Sequence, residues 1–171
     1  DGTLSRVDAR GNVSLASKGA TAVSQRADIA LGAASQPQTA LLTGGVKYSS
    51  NQPLRQVKAQ AEQATIAFDD QAKPQPEHAV FIGAVHMTEE PWSTRDLTAA
   101  KVQAVLVRGE TGKSELRDAT ASGTPQLILV NAGSLASNHG AGTTELSADD
   151  LKAHLIASSG RKQPPQLDTI E

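Results

Sequence analysis

The chain has 171 residues, a formal net charge of −2, no cysteine and only 2% aromatic residues. These values suit one soluble domain or an elongated piece of a longer protein, and the lack of cysteine excludes disulfides and thiolate metal sites. Basic residues form no continuous run and both signs of charge are mixed along the chain, so nucleic acid is not an expected partner.

Four segments, each centred on a glycine, alternate apolar and polar side chains. They are 7–15, 40–48, 80–87 and 119–127, with glycines at 11, 44, 83 and 123. When the glycines are aligned, the residues two positions later are Val13, Val46, Val85 and Pro125. A period of two places successive side chains on opposite faces of a strand. Each segment is predicted to be a β-strand whose glycine lies on the apolar face and permits a bulge or bend.

A second strand pattern lies between these segments, at 27–31, 64–68, 102–106 and 151–155. The two patterns together give two strands in each unit of about 38 residues. Repetition at this period is typical of solenoids, propellers and stacked arrays, in which neighbouring units bury their apolar faces together. A propeller blade needs four strands, so an all-β stack of two-strand units is favoured.

The whole chain, 1–171, is predicted to be a single elongated domain excised from a longer array. Residues 131–144 are rich in Gly, Ser and Asn and are predicted to form a loop. Residues 166–171 are expected to begin a fifth copy that continues beyond Glu171. Any helix is expected to be short and to lie within 147–153.

The residues that could carry catalysis form no converging set. Residues 112–114 match only the end of a phosphate-binding loop, because the earlier glycine of that motif falls at Val107. The four histidines are scattered over different units without chelating spacing, which favours solvated surface positions. The aspartate pairs at 69–70 and 149–150 are adjacent, so their carboxylates point apart on a strand and turn or cap roles are favoured. We expect no enzymatic activity, no cofactor and no metal site.

The order and repetition of the units resemble the OstA-like repeats of the lipopolysaccharide-transport (Lpt) β-jellyroll family. Units of the type Ala-x-Gly-x-Val, followed by a strand of the type Ala-x-Ile-x-Leu, carry the resemblance over nearly the whole chain. It implies an open, twisted antiparallel β-jellyroll in the periplasm, whose apolar interior carries lipid A acyl chains towards the outer membrane. It also implies head-to-tail joining with other Lpt-type β-jellyrolls, or with copies of the chain itself, through edge strands. The last unit departs from the pattern at Pro125 and in an insertion after Val130.

Two functions of different class follow from an apolar interior. The first is a lipid-transport module for lipopolysaccharide, in which small residues widen the interior for acyl chains. The second is a structural β-solenoid or adhesin-type segment whose own side chains fill its core; a glycan hydrolase ranks last because no paired carboxylates share a face. The small residues are Ala27, Ala61, Ala64, Ala99 and Ala104. The predicted lipid-binding residues of the interior groove are Val13, Leu15, Ile29, Leu31, Val46, Tyr48, Ile66, Phe68, Val85, Met87, Val102 and Leu106.

Overall fold

The chain forms one sheet of antiparallel β-strands. The computed structural model describes residues 4–17, 19–52, 55–90, 93–108, 114–131, 142–156 and 166–170. Within these ranges the strands are β1 (Arg6–Ser17), β2 (Ala20–Leu31), β3 (Pro37–Gln52), β4 (Arg55–Phe68), β5 (Pro76–Glu90), β6 (Ser93–Arg108), β7 (Ser114–Ser122), β8 (Gln126–Asn131), β9 (Gly142–Ser147), β10 (Asp150–Ile156) and β11 (Gln166–Ile170). The predicted open, jellyroll-like all-β fold is confirmed, since no pairing closes these strands into a barrel.

Helical structure in the described residues is limited to one 3-10 turn, Ala33–Ser35. The sequence allowed a short helix within 147–153, and β10 occupies most of that range instead. The segment is extended because Leu151 pairs with Ala121 of β7, so its backbone groups join the ladder. No described helix is long and apolar enough to cross a membrane.

Consecutive strands pair from β1 to β7, as the two-strand repeat predicts. The fourth unit then divides: β7 pairs with the second half of β6 and with β10, while β8 pairs with the first half of β6 and with β9. The sequence predicts one strand through 119–127, but β7 ends at Ser122 and β8 begins at Gln126. Pro125 lies at the division, where its missing N–H does not interrupt a ladder.

The segment predicted to be a loop, 131–144, is strand at both of its ends. Asn131 is the last residue of β8 and residues 142–144 belong to β9. Residues 132–141 lie outside the described part of the chain. The predicted start of a fifth copy is strand β11, which pairs with β10.

The glycine-centred strands β1, β3 and β5 each carry a β-bulge at the glycine. The backbone angle φ of Gly83 is +83°, which glycine adopts without strain. A Cβ on Gly83 would lie 2.8 Å from the Cβ of Glu62, an exposed residue of β4. The missing side chain therefore faces the outer surface, and the prediction that these glycines lie on the apolar face is wrong. The reason is that the positive φ at the bulge turns the residue out of the regular alternation.

The bulges bend the sheet, and the two halves on either side of the bend are called here the first and second arms. On the first arm, one row of inward side chains runs across the strands and consists of Leu15, Ala22, Tyr48, Ala59, Met87, Leu97 and Leu127. The corresponding row of the second arm is Ala9, Ala27, Leu42, Ala64, Phe81, Val102, Ala121 and Leu151. Side chains of both rows belong to one hydrophobic cluster, so the arms face each other.

The tightest packing lies beside the bend. Val46, Val85 and Pro125 have side chains that are less than 2% exposed, and each lies two residues after a glycine of the repeat. Farther along both arms most of the described inward side chains are half-buried.

The outer face mixes polar side chains with exposed apolar ones such as Val23 and Ile82, and it carries ion pairs between neighbouring strands. Arg26 of β2 binds Asp8 of β1 at 2.5 Å, and Arg6 binds Asp28 in the same strand pair. The turns are joined from one unit to the next as well. Arg108 at the end of β6 donates a 2.7 Å hydrogen bond to Asp69 after β4. Exposed pairs of this kind each add little stability, and they mark this face as the solvated one.

Candidate functional site

Four alanines form a half-buried row on the inner face of the second arm, and we call this row the alanine floor. It consists of Ala79 on β5, Ala104 on β6, Ala119 on β7 and Ala153 on β10, each the register partner of the next. All four are half-buried. Since neighbouring strands lie about 4.8 Å apart, the floor extends roughly 14 Å across the sheet. A methyl group rises little above the backbone, so this row is lower than the rows beside it.

Larger apolar side chains border the floor. Phe81 and Val102 lie along the side nearer the bend and are buried. Leu106 and Leu116 pair with each other along the opposite side and are half-buried. At the two ends, Ile66 pairs with Ala79 and Ile170 pairs with Ala153. The result is an apolar groove that runs across the strands, along the direction in which the units stack.

The twelve residues predicted to line the interior groove all lie on the inner face by strand register. Three of them, Val46, Val85 and Val102, are buried in the packed region near the bend. The other nine are half-buried: Val13, Leu15, Ile29, Leu31, Tyr48, Ile66, Phe68, Met87 and Leu106. Of the twelve, Ile66, Val102 and Leu106 border the alanine floor. The remaining half-buried members are distributed over both arms.

The alanines predicted to widen the interior divide into two groups. Ala27, Ala61, Ala64 and Ala99 are at most 8% exposed. Their space is taken by larger partners in the register, as where Ala64 lies between Leu42 and Phe81. The interior beside the bend is therefore a packed core, and Ala104 alone of the predicted five belongs to the open floor.

Sequence reasoning missed three members of the floor, Ala79, Ala119 and Ala153. A signal for two of them was present. Ala79 and Ala119 each lie four positions before a glycine of the repeat, as Ala40 does in the second unit. The alternation places that position on the inner face. Whether the alanines of several units align into one row depends on the register between units, which the sequence pattern does not give.

The titratable groups of the outer face form small groups of two or three, as where Asp118 contacts both Arg117 and His154. A nitrogen of the His86 ring lies 2.9 Å from the carboxylate of Asp96, and one of His154 lies 2.5 Å from that of Asp118. The Arg117 guanidinium and the His154 ring hold the pKa of Asp118 below its usual range. Among the described residues no three His, Asp or Glu side chains are grouped as metal ligands.

A depression of about 240 Å³ on the outer face lies behind the floor. Its lining alternates polar and apolar side chains, among them His78, Val80, Gln103, Asp118 and Thr120. Its strand positions put His78 and Asp118 on β5 and β7, with β6 between them. Asp118 is paired with His154, its register partner on β10, and among the described residues it makes no hydrogen bond to His78.

Comparison of the chain with protein-family models, with curated proteins and with solved structures finds no match. The resemblance to OstA-like repeats therefore stays a prediction from the sequence pattern. The geometry of the inner face is the ground on which a function is proposed.

Proposed function

We propose that the chain is a non-enzymatic periplasmic module that carries lipopolysaccharide, with lipid A acyl chains lying in the groove above the alanine floor. The observation that supports this proposal is the floor itself, a half-buried apolar row that larger side chains border. A fold that fills its own core places large side chains in such a row. Here Ala79, Ala104, Ala119 and Ala153 leave the row low across four strands.

An acyl chain suits this groove in both shape and chemistry. The groove is continuous across β5, β6, β7 and β10 and is lined by hydrocarbon. Each CH₂ group that leaves water for such a lining contributes about 0.8 kcal/mol. Transport along the stacking direction follows from the orientation of the floor, since a chain lying on it points from one unit to the next.

Edge strands support the proposed partners, which are other Lpt-type β-jellyrolls or a second copy of the chain. Among the described strands, β1 pairs on one side with β2, and β11 pairs on one side with β10. A strand paired on one side offers backbone donors and acceptors to another strand. Head-to-tail pairing of β1 with the last strand of a partner would continue both the sheet and the groove.

The packed region beside the bend favours a second candidate, a structural β-solenoid or adhesin-type segment. Ala27 and Leu42 are at most 1% exposed, so part of the interior is filled by the chain itself. In that function the floor would be covered by side chains of a neighbouring unit rather than by lipid.

Site-specific photo-crosslinking separates the two functions. A benzophenone side chain at Ile66 or Ala104, on the inner face, is expected to capture lipopolysaccharide. The matched positions Thr65 and Gln103 are the adjacent residues on the outer face and are expected to capture none. Equal capture at inner and outer positions, or no capture at any of them in folded protein exposed to lipid, would contradict the transport proposal.

A further inference from the structure

The described part of the inner face carries an ion pair between Glu89 and Arg95. Between the strand ends, the described inward side chains are apolar or small hydroxyls, with two charged exceptions, Glu89 on β5 and Arg95 on β6. These residues are register partners on the first arm. Their side chains are 18% and 23% exposed, so both are largely withdrawn from water.

The surroundings of this pair are apolar. Val57 precedes Glu89 in the register and Leu129 follows Arg95. Along the strands, Met87 and Leu97 are the next inward residues towards the bend, and both pack against the core. A pair of charges in such a place gains little stability over an apolar pair, because desolvation offsets their attraction.

The guanidinium of Arg95 has spare hydrogen-bonding capacity. Within the described residues it makes one hydrogen bond, from a terminal nitrogen to an Oε atom of Glu89, at a long 3.4 Å. A guanidinium has five N–H donors in a planar fork that matches a phosphate or carboxylate. Most of that fork is thus available to an anion that enters the opening between the arms.

The position of Arg95 relative to the alanine floor completes the geometry. Arg95 lies four residues before Ala99, which is at the bend, and Ala104 lies five residues after it. The arms face each other, so Arg95 and the floor lie at similar distances from the bend on opposite sides of the opening. One side offers an anion site and the other an apolar floor.

We infer that Arg95 is a headgroup subsite, which binds the phosphate or carboxylate of an amphiphile whose alkyl chain lies against the alanine floor. This inference rests on the proposed lipid-carrying function and makes it specific for anionic amphiphiles. Glu89 holds the guanidinium and is displaced in part when the anion arrives. A neutral lipid would leave the ion pair as it is and gain only the apolar contact.

The test is isothermal titration of the 171-residue chain with decyl phosphate and with decanol, which share an alkyl chain and differ in charge. The chain is expected to bind decyl phosphate about tenfold more tightly, as one charge-assisted hydrogen-bonding contact provides. Arg95→Gln is expected to remove this preference and to leave decanol binding unchanged. Glu89→Gln removes the competing carboxylate and is expected to strengthen the binding of decyl phosphate. Arg26→Gln, on the outer face, is the control and should change neither affinity.

Each other outcome has a definite reading. If both ligands bind but Arg95→Gln leaves the preference for decyl phosphate intact, or weakens both ligands equally, the subsite is wrong while the groove stands. If inorganic phosphate competes as well as decyl phosphate, the site takes free anions and the inference about an amphiphile is wrong. If neither ligand binds to folded protein, the proposed function and this inference both fail.

Discussion

The rings of Tyr48 on β3 and Phe81 on β5 lie with centroids 6.4 Å apart and planes inclined by 59°, although their strands do not pair. Tyr48 follows the bulge glycine of its strand and Phe81 precedes that of its own. The two residues thus belong to opposite arms, and β4 lies between their strands. This tilted contact joins the arms across the interior and sets how closely they approach next to the bend.

Truncation of Phe81 is expected to loosen this junction. Phe81→Ala should lower the free energy of unfolding by about 3 kcal/mol, because Phe81 is 6% exposed and its ring leaves a cavity. Urea unfolding measures the change. The double variant with Tyr48→Ala should show a coupling of about 1 kcal/mol between the rings. Purely additive effects would mean that the arms do not meet here.

The bulge glycines differ in what surrounds them, and this difference predicts different costs of substitution. Gly11 and Gly83 both have positive φ. An added Cβ at Gly11 meets nothing within 4 Å, whereas one at Gly83 would lie 2.8 Å from the Cβ of Glu62. Gly11→Ala should cost about 1 kcal/mol of backbone strain. Gly83→Ala should cost clearly more in the same urea experiment, and equal costs would show that the close approach is unimportant.

The period-two pattern predicted the strands because it depends on each residue's own neighbours along the chain. Val13, Val46 and Val85 occupy equivalent inner positions, as their spacing from the glycines indicates. The division at Pro125 could not be predicted in the same way. It depends on which part of β6 each later strand pairs with, and that is a choice between distant segments. The outward orientation of Gly83 likewise follows from a positive φ that alternation ignores.

The sequence alone could not identify the floor, because the pairing register between strands decides which side chains lie beside one another. Whether a row of alanines stays open or is filled by larger side chains depends on the partner strands in other units. Ala64, which lies beside Leu42, and Ala104 on the open floor therefore look alike in the sequence. The inward ion pair also required the register, since Glu89 and Arg95 lie on different strands among many other charged residues. Their shared inner face becomes visible when β5 and β6 are paired.

Acid is expected to weaken the junction between β7 and β10. The Arg117 guanidinium, and then the His154 ring, lower the pKa of Asp118. A carboxylate with a lowered pKa in the folded state stabilises the fold above its unfolded pKa of about 3.9. That contribution is lost as the pH falls below about 4 and through the folded pKa.

The urea midpoint of Asp118→Asn should therefore lie below that of the parent at pH 7, and the two should converge in acid. Asp149→Asn is the control, since this exposed aspartate makes no ion pair with the described residues. A parent and an Asp118→Asn variant that stay equally far apart in acid would show that the pairing contributes nothing to this pH dependence.

Filling the alanine floor distinguishes an open groove from a self-filled core. Ala104→Leu places a larger side chain on the floor of β6, and Gln103→Leu places the same side chain on the exposed outer face as a control. An open groove accepts the leucine, so the free energy of unfolding should change by less than about 0.5 kcal/mol, within the usual range for unconfined positions. A filled core would be overpacked, and its free energy of unfolding would fall by about 1–3 kcal/mol.

Lipid capture by a benzophenone at Ile66 should fall in the Ala104→Leu protein and persist in the Gln103→Leu protein, because the leucine at position 104 occupies the space that the acyl chain requires. Loss of stability together with unchanged capture would show that the lipid lies elsewhere and that the floor belongs to the packed interior.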